Sequence, residues 1–330
     1  AGNPSYLANG FVQYDKDFPK KGQDVDPHHG ASATFEYALA DSALSIMAKA
    51  LGHDDDAATL KRRGLNYRTL WDATVSDRGV TGFPRPKLAG GGWLPTFTPQ
   101  GDDGFHEGTA WQYQWLVQHD APGLVERLGG PEKAAARLDD FFAYADLLVD
   151  PSDTVRNKWV VGPYEYYNQF RYNPNNEPDL HVPWMYVLIG QPWKTSAVIR
   201  AAQHLFIDGP AGVTGNDDLG QMSAWYVFGA LGLYPVIPGT GQFVLHAPRY
   251  AGATIHLENG RDIVVQAPGT DTSRLQYVRG LQVDDIDRDQ AWIDLEVLTN
   301  GTTLAFDLTD DPEEATWATG PGGAPPSPSA

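Results

Sequence analysis

The chain contains no cysteine, which excludes disulfides, thiolate metal centres, iron–sulfur clusters and a cysteine nucleophile. The absence does not identify a compartment, because 330 residues can bury a core that stands without cross-links. Positive charge is scarce as well. Lys and Arg total 24 against 42 Asp and Glu, a formal net charge of -18, so a phosphate backbone is repelled and nucleic acid is not expected as a partner. No apolar stretch reaches the length of a bilayer span, and no membrane span is expected. An initiating Met and a basic, then apolar, leader are also missing: the chain opens AGNPSYLANG and reads as a processed, trimmed or excised piece. No repeat of fixed period is found.

What is present is a hydrophobic fraction of 42%, enough for a real core and too much for wholesale disorder. Aromatics make up 12%, with 10 Trp and 15 Tyr. Flat aromatic faces stack on sugar rings; they also build ordinary cores, and composition alone favours the core.

Up to residue 235, helix-like segments alternate with loops rich in Gly, Pro and Asp. Phe35, Leu39, Ile46, Met47 and Leu51 recur at helical spacing through ATFEYALADSALSIMAKALG, with Gly52 as the stop. Further helices are expected over Gly108 to His119, from Pro131 through EKAAARLDDFFAYADLL, over Pro183 to Ile189, from Pro192 to Phe206 and from Gln221 to Leu233. Runs of helices without intervening strands point to an all-α solenoid or toroid. From residue 236 to 318 the pattern changes: QFVLHAP, ATIHLENG, DIVVQAPG, LQYVRG, AWIDLEVLTNG and TTLAFDL read as antiparallel strands separated by Gly-containing turns. The tail from 319 to 330, ending GPGGAPPSPSA, is expected to be a flexible end. The fold class is thus mainly α with a C-terminal antiparallel β module.

Three segments place acidic or amide side chains in a loop just before a helix, flanked by aromatics: FHEGTAWQYQW, NPNNEPDLHVPWMY and GVTGNDDLGQMSAWYVFGALGLYP. Such a loop exposes a carboxylate while the helix fixes its position. It is equally what an N-cap looks like.

These segments, with TFEYALADSALSIMAKALG, resemble in order the C-terminal half of a glycoside hydrolase family 92 enzyme, the calcium-dependent exo-α-mannosidases, from about Gly10 to Leu308. The resemblance implies part of an (α/α)6 barrel followed by β structure, and hydrolysis of terminal α-linked mannose with inversion. Inversion needs one protonated carboxyl for the leaving oxygen and one carboxylate to activate water, about 6.5 to 9.5 Å apart. The family's acid falls on Glu107. Its base falls in the loop holding Asn216, Asp217 and Asp218; because Asn216 stands where many members have the first of two Asp residues, Asp218 is the expected base. Asp217 would support it, and Asn216 could only orient the water. A helix N-terminus favours ionised Asp218, but at Glu107 the same dipole must be outweighed by burial against Trp111 or Tyr113 or by a nearby carboxylate. The NNEP segment maps the calcium ligands onto Asn176 and Glu177, oxygen donors apt for that ion; an ordinary turn is the alternative, and the two are compatible. Trp111, Gln112, Tyr172, Asn173 and Gln221 are expected to line the substrate.

Two departures from the family bear on specificity and completeness. Members specific for α-1,2 linkages carry a His-Glu pair near the position of Tyr172 and Asn173, so another linkage is expected. Full-length members also have an N-terminal β domain and a Trp-Asp segment that binds mannose; that missing portion is an expected partner, together with a mannose-containing glycan. The family implies an extracellular location. A non-catalytic carbohydrate-binding fragment is the alternative. A relative cleaving mannosyl phosphodiesters is disfavoured, because such members replace the acid Glu with Gln. Other signals are read as structural: Asp285, Asp287, Asp289 and Glu296 at EF-hand spacing lack the Gly at position six, His28 and His29 are a loop pair, and Asp54 to Asp56 form a solvated loop.

Overall fold

The computed structural model describes residues 4–19, 25–160 and 169–329. A short helix α1 (Pro4–Asn9) precedes the long α2 (Gly30–Ala50) and α3 (Asp54–Arg63). Helix α2 lies where the periodicity placed it, but it buries a different stripe: Phe35, Ala38, Asp41, Ser42, Ser45 and Ala48 face inward, while Met47 and Leu51 are exposed. Small side chains win this face because they let neighbouring backbone approach. A Cβ on Gly64 would sit 3.2 Å from that of Ser42, and one on Gly30 only 2.7 Å from the Val12 carbonyl oxygen. The segment expected to be a solvated loop at Asp54 to Asp56 is instead the first turn of α3, whose last turn carries Lys61, Arg62 and Arg63. Acidic residues at the start and basic ones at the end suit the helix dipole.

A hairpin that the sequence reading missed follows, β1 (Trp71–Asp77) and β2 (Val80–Pro84), paired antiparallel. Its turn places Arg78 and Gly79 at positive φ, which suits the right-handed twist of two-residue hairpins. The chain then runs through α4 (Ala110–Tyr113), α5 (Ala121–Leu128), α6 (Pro131–Phe142), α7 (Tyr144–Val149), α8 (Pro151–Thr154), α9 (Met185–Leu188), α10 (Pro192–Ala202) and α11 (Gln221–Leu231). The helix expected through 131–148 breaks at Ala143, φ +50°, and the break allows consecutive Phe141 and Phe142 both to reach the core. The helix expected over 108–119 shrinks to a single turn, α4, followed by turns.

The β module begins at β3 (Leu233–Tyr234), which joins β4 (Gln242–Leu245) and β9 (Trp292–Asp294) in a three-stranded sheet. A five-stranded sheet has the order β5 (Gly252–His256), β6 (Asp262–Gln266), β10 (Thr302–Thr309), β7 (Tyr277–Val283), β8 (Ile286–Asp287). The module is antiparallel as expected, with one parallel pair. After β9 and α12 (Leu295–Thr299), β10 returns between β6 and β7, antiparallel to β7 and therefore parallel to β6. The EF-hand-like acidic run forms the tight turn and strand after β7.

One continuous apolar core joins the helices to both sheets. At the seam Trp184 stacks on Tyr234 at 4.2 Å and donates from Nε1 to His246 Nδ1 at 3.3 Å. The C-terminal tail, expected to hang free, lies along the body: Gly323 accepts from the Ala291 amide at 2.8 Å, and Ser327 and Ser329 donate to His119 O at 2.9 Å and Asp120 Oδ1 at 2.6 Å. Proline lowers the entropy lost on ordering such a segment.

Candidate active site

Glu107 is presented by a strained bend. Gly104, at φ +86°, turns the chain and its carbonyl accepts from the Ala31 and Ser32 amides at 2.9 and 3.2 Å, tying the bend to the start of α2. His106 is held on both sides, its amide donating to Ser32 Oγ at 3.0 Å and its carbonyl accepting from Tyr113 OH at 2.9 Å. Glu107 follows at φ +47°, a backbone region that non-glycine residues seldom occupy and that clusters at functional sites. Its side chain is 38% exposed. Asn176 Nδ2 donates to Glu107 Oε2 at 3.0 Å and to the Glu107 carbonyl at 3.3 Å.

The loop carrying Asn176 is shaped from within. Asn175 N donates to Asn173 Oδ1 at 3.1 Å, an Asx turn, and Asn173 N donates to Asp179 Oδ2 at 2.9 Å. Burial pushes the Asp179 carboxyl well up from the ordinary carboxylate range. Thr214 Oγ1 donates to Asn175 Oδ1, and a Cβ on Gly215 would lie 2.3 Å from the Asn175 carbonyl. Only glycine permits that approach, so the 173–179 and 214–218 loops are locked face to face.

In the second loop Asp217 and Asp218 diverge. Asp217 Oδ1 accepts from Ser223 N at 3.0 Å and Ser223 Oγ at 2.7 Å, closing the start of α11; its role is that of a cap. Asp218, Leu219 and Gly220 are successive residues at positive φ, 45°, 59° and 94°, and the bend turns Asp218 toward Glu177. The Glu177 carboxyl is pushed up from its ordinary range, first by the surrounding protein and then by the charge of Asp218, its hydrogen bond with Asp218, and the charge of Glu107. A bond between two carboxyls requires one proton, and Glu177 is the group inclined to hold it.

The structure thus brings together Glu107, Asn176, Glu177 and Asp218, while Asn216 is exposed on the same loop as Asp218. Three expected substrate contacts are corrected. Trp111 is 1% exposed, donates from Nε1 to Asp77 Oδ2 at 2.7 Å, and packs against Phe83 and Phe170; no face is left for a sugar. Tyr172 is wholly buried among Phe141, Phe142 and Trp159. Asn173 is buried and shapes the loop from beneath. Gln112 is also buried, donating to Arg171 O at 3.1 Å, and shares a small space with Glu107 and Asn176. Gln221 is exposed at the start of α11 and donates to Tyr234 OH at 3.2 Å.

Glu36 was missed by the sequence reading. Its carboxyl is pushed up to about 7, first by the surrounding protein and then by the charge of Glu177. Water reaches the residue, so this is the crowding of a cleft wall and not of an interior. Its signal was available, since a carboxylate stands in an otherwise apolar first half of a long helix, beside fully buried Phe35.

Among the described residues no group of three or more His, Asp or Glu side chains closes round a point as a metal centre does. The chemistry of the donors nevertheless suits a hard cation: Asn176 offers an amide oxygen and the adjacent Glu177 a carboxylate set beside Asp218 and Glu107.

Residues 1–310 match the description of the glycosyl hydrolase family 92 catalytic domain. An uncharacterized secreted glycosidase from Arthroderma benhamiae is 27% identical over 322 residues, covering 90% of this chain and 37% of that protein. Among solved structures, the family GH92 alpha-mannosidase BT3965 from Bacteroides thetaiotaomicron matches with a TM-score of 0.81 at 29% identity, over 98% of this chain and 39% of that one. The family GH92 inverting mannosidase BT2199 from the same species gives 0.80 at 29% identity, over 98% and 42%. The chain spans about two fifths of the length of these relatives.

Proposed function

The chain belongs to glycosyl hydrolase family 92, its helical region being part of an (α/α)6 barrel ahead of the β module, and from that premise and the geometry of the cleft we propose that it acts in the calcium-dependent, inverting hydrolysis of terminal α-mannose. The observation that carries the proposal is the convergence of three separate loops. Asn176 bonds the Glu107 carboxyl at 3.0 Å, and the adjacent Glu177 bonds Asp218.

Glu107 gives its proton to the glycosidic oxygen as the bond to the leaving group breaks. Asp218 takes a proton from the water that attacks the anomeric carbon from the opposite face, so no glycosyl-enzyme forms and the product is β-mannose. Asn176 fixes Glu107 Oε2, Asp217 holds the loop that aims Asp218, and Asn216 can orient the water. Asn176 and Glu177 are the residues that would hold calcium, and the ion would supply oxygen coordination to sugar hydroxyls, holding the ring and favouring its distortion toward the transition state. A mannose-containing glycan is the substrate. The remaining length of the relatives corresponds to a partner portion, and an extracellular setting accords with the relative described as secreted.

The test is hydrolysis of α-mannobioses and of an aryl α-mannoside with a good leaving group. Glu107→Gln is expected to lose activity on the disaccharide by about 10²- to 10⁴-fold while sparing the aryl substrate much more; equal losses on both would remove the acid role. Sugar binding without turnover by the unaltered chain would instead support the reading as a carbohydrate-binding fragment.

A further inference from the structure

The chain is strongly acidic, with a net charge of -18, yet one place in it gathers cations without counter-charges. Arg200 on α10, His204 just after it, Arg156 just after α8, Tyr226 on α11, and Arg249 and Tyr250 between β4 and β5 meet where the helices join the β module. Arg200 is 3% exposed, and its guanidinium donates only to backbone carbonyls, Pro248 O at 3.1 Å and Arg249 O at 3.5 Å. Arg249 Nη1 donates to an uncharged acceptor, Gln203 Oε1, at 3.0 Å. Arg249 Nε and Gln203 Nε2 are buried donors with no acceptor among the described residues.

Among the described residues no carboxylate forms an ion pair with Arg156, Arg200 or Arg249. The acids whose charges reach the cluster are engaged elsewhere: Asp150 accepts from Asp153 N at 2.9 Å, and Asp271 pairs with Arg274 at 3.3 Å. His204 is held below the ordinary histidine range, first by burial and then by the charges of Arg249, Arg156 and Arg200. Tyr226 OH and Tyr250 OH lie 3.3 Å apart beside Arg249. Tyr250 is half exposed and Arg156 is exposed, so the cluster opens to solvent on that side.

Guanidinium groups and phenol hydroxyls are the donors that a tetrahedral anion takes several at a time, and its charge cancels one that the protein leaves uncompensated. Charges more than about 8 Å away are screened at physiological ionic strength, so these local cations, and not the net charge, decide what binds. We propose that the cluster is an anion site for one phosphate or sulfate group, free or as an ester on a glycan, with Arg249 and Arg156 supplying charge and Tyr226 and Tyr250 supplying hydroxyl donors. It shares no residue with the cleft and does not rest on the mannosidase reading.

The experiment titrates the full chain by calorimetry with inorganic phosphate, methyl phosphate, sulfate and acetate, in calcium-free buffer at an ionic strength fixed with sodium chloride. The expected result is one saturable site for phosphate with a Kd of about 1 mM or tighter, acetate at least about ten-fold weaker, and a melting temperature that rises with phosphate. Arg249→Gln and Arg156→Gln should each weaken phosphate about ten-fold, and Tyr250→Phe about three-fold. Arg156 is exposed and Tyr250→Phe keeps the ring, so these two variants carry the test even where Arg249→Gln disturbs folding. Tighter binding of methyl phosphate than of inorganic phosphate assigns the group to an ester, and the reverse assigns it to the free ion; both support the site. No saturable phosphate binding, acetate bound as tightly as phosphate, or an affinity unchanged in both Arg156→Gln and Tyr250→Phe would overturn it.

Discussion

Two acidic sites in this molecule use the same chemical groups to opposite ends. At the rear, Asp120 is buried and fully partnered: Tyr67 OH and Arg68 Nε donate to Oδ2 at 2.5 and 2.9 Å, and Ser329 donates to Oδ1 at 2.6 Å. At the cleft, Glu177 faces Asp218, Glu107 and Glu36, all carboxylates. Burial alone would raise Asp120, yet the bonds from Ser329, Tyr67 and Arg68 and the Arg68 charge hold it below its ordinary range. Glu177 and Glu36 move the other way. Paired acids stabilise the fold, and acids set against acids, on backbone at positive φ, are what a fold maintains for chemistry.

The comparison is broken most sharply by removing one carboxylate from each site. Glu107→Gln should cost about 10²- to 10⁴-fold in turnover of α-mannobiose with an unchanged melting temperature. Asp120→Ala should do the reverse: a loss of about 3–5 kcal/mol in urea unfolding, because the Arg68 guanidinium is left without its counter-charge. Asp218→Asn should abolish turnover and leave stability nearly unchanged, since the exposed amide oxygen can still accept from a protonated Glu177.

The pH dependence should differ in sign. Asp120 has a lowered folded value, so its contribution is present above the unfolded carboxylate range and is lost on acidification through the folded value. Glu36 is raised to about 7, so the folded state binds more protons and stability falls as pH rises from the ordinary carboxylate range toward 7. Unfolding of Asp120→Ala from about pH 4 downward and of Glu36→Gln across about pH 4 to 8 checks both, each variant losing its own limb of the profile. The smallest expected effect is on titration alone. Glu177→Gln should move the Glu36 carboxyl down from about 7 toward its ordinary range, read by ¹³C NMR; no movement would mean that the two sites are not coupled.

How much of this was legible in the sequence follows the range of the forces involved. The motif order placed Glu107, Asn176, Glu177 and Asp218 together, and the structure sets them on adjoining loops. The existence of α2, α10 and α11 was legible because helical periodicity is local. Which face of α2 is buried was not, because Ser42, Ser45 and Ala48 are selected by the close approach of distant backbone. Trp111 and Tyr172 were misplaced for a related reason: an aromatic beside a motif has the same letters whether it faces a sugar or another aromatic. Glu36 was overlooked because its meaning lies in the space between α2 and the bend before α4, a tertiary fact. The parallel β6–β10 pairing and the seated tail depend in the same way on contacts far apart in the chain.

The central claim is that opposed carboxylates on these loops perform inversion. Proton NMR of α-mannobiose incubated with the chain and calcium, beside a chelated sample and Glu107→Gln, tests it most directly. The account predicts that β-mannose appears first, before mutarotation, that the chelator abolishes it and that the substitution slows it by about 10²- to 10⁴-fold. First appearance of α-mannose, or release at an unchanged rate in Glu107→Gln, would contradict it.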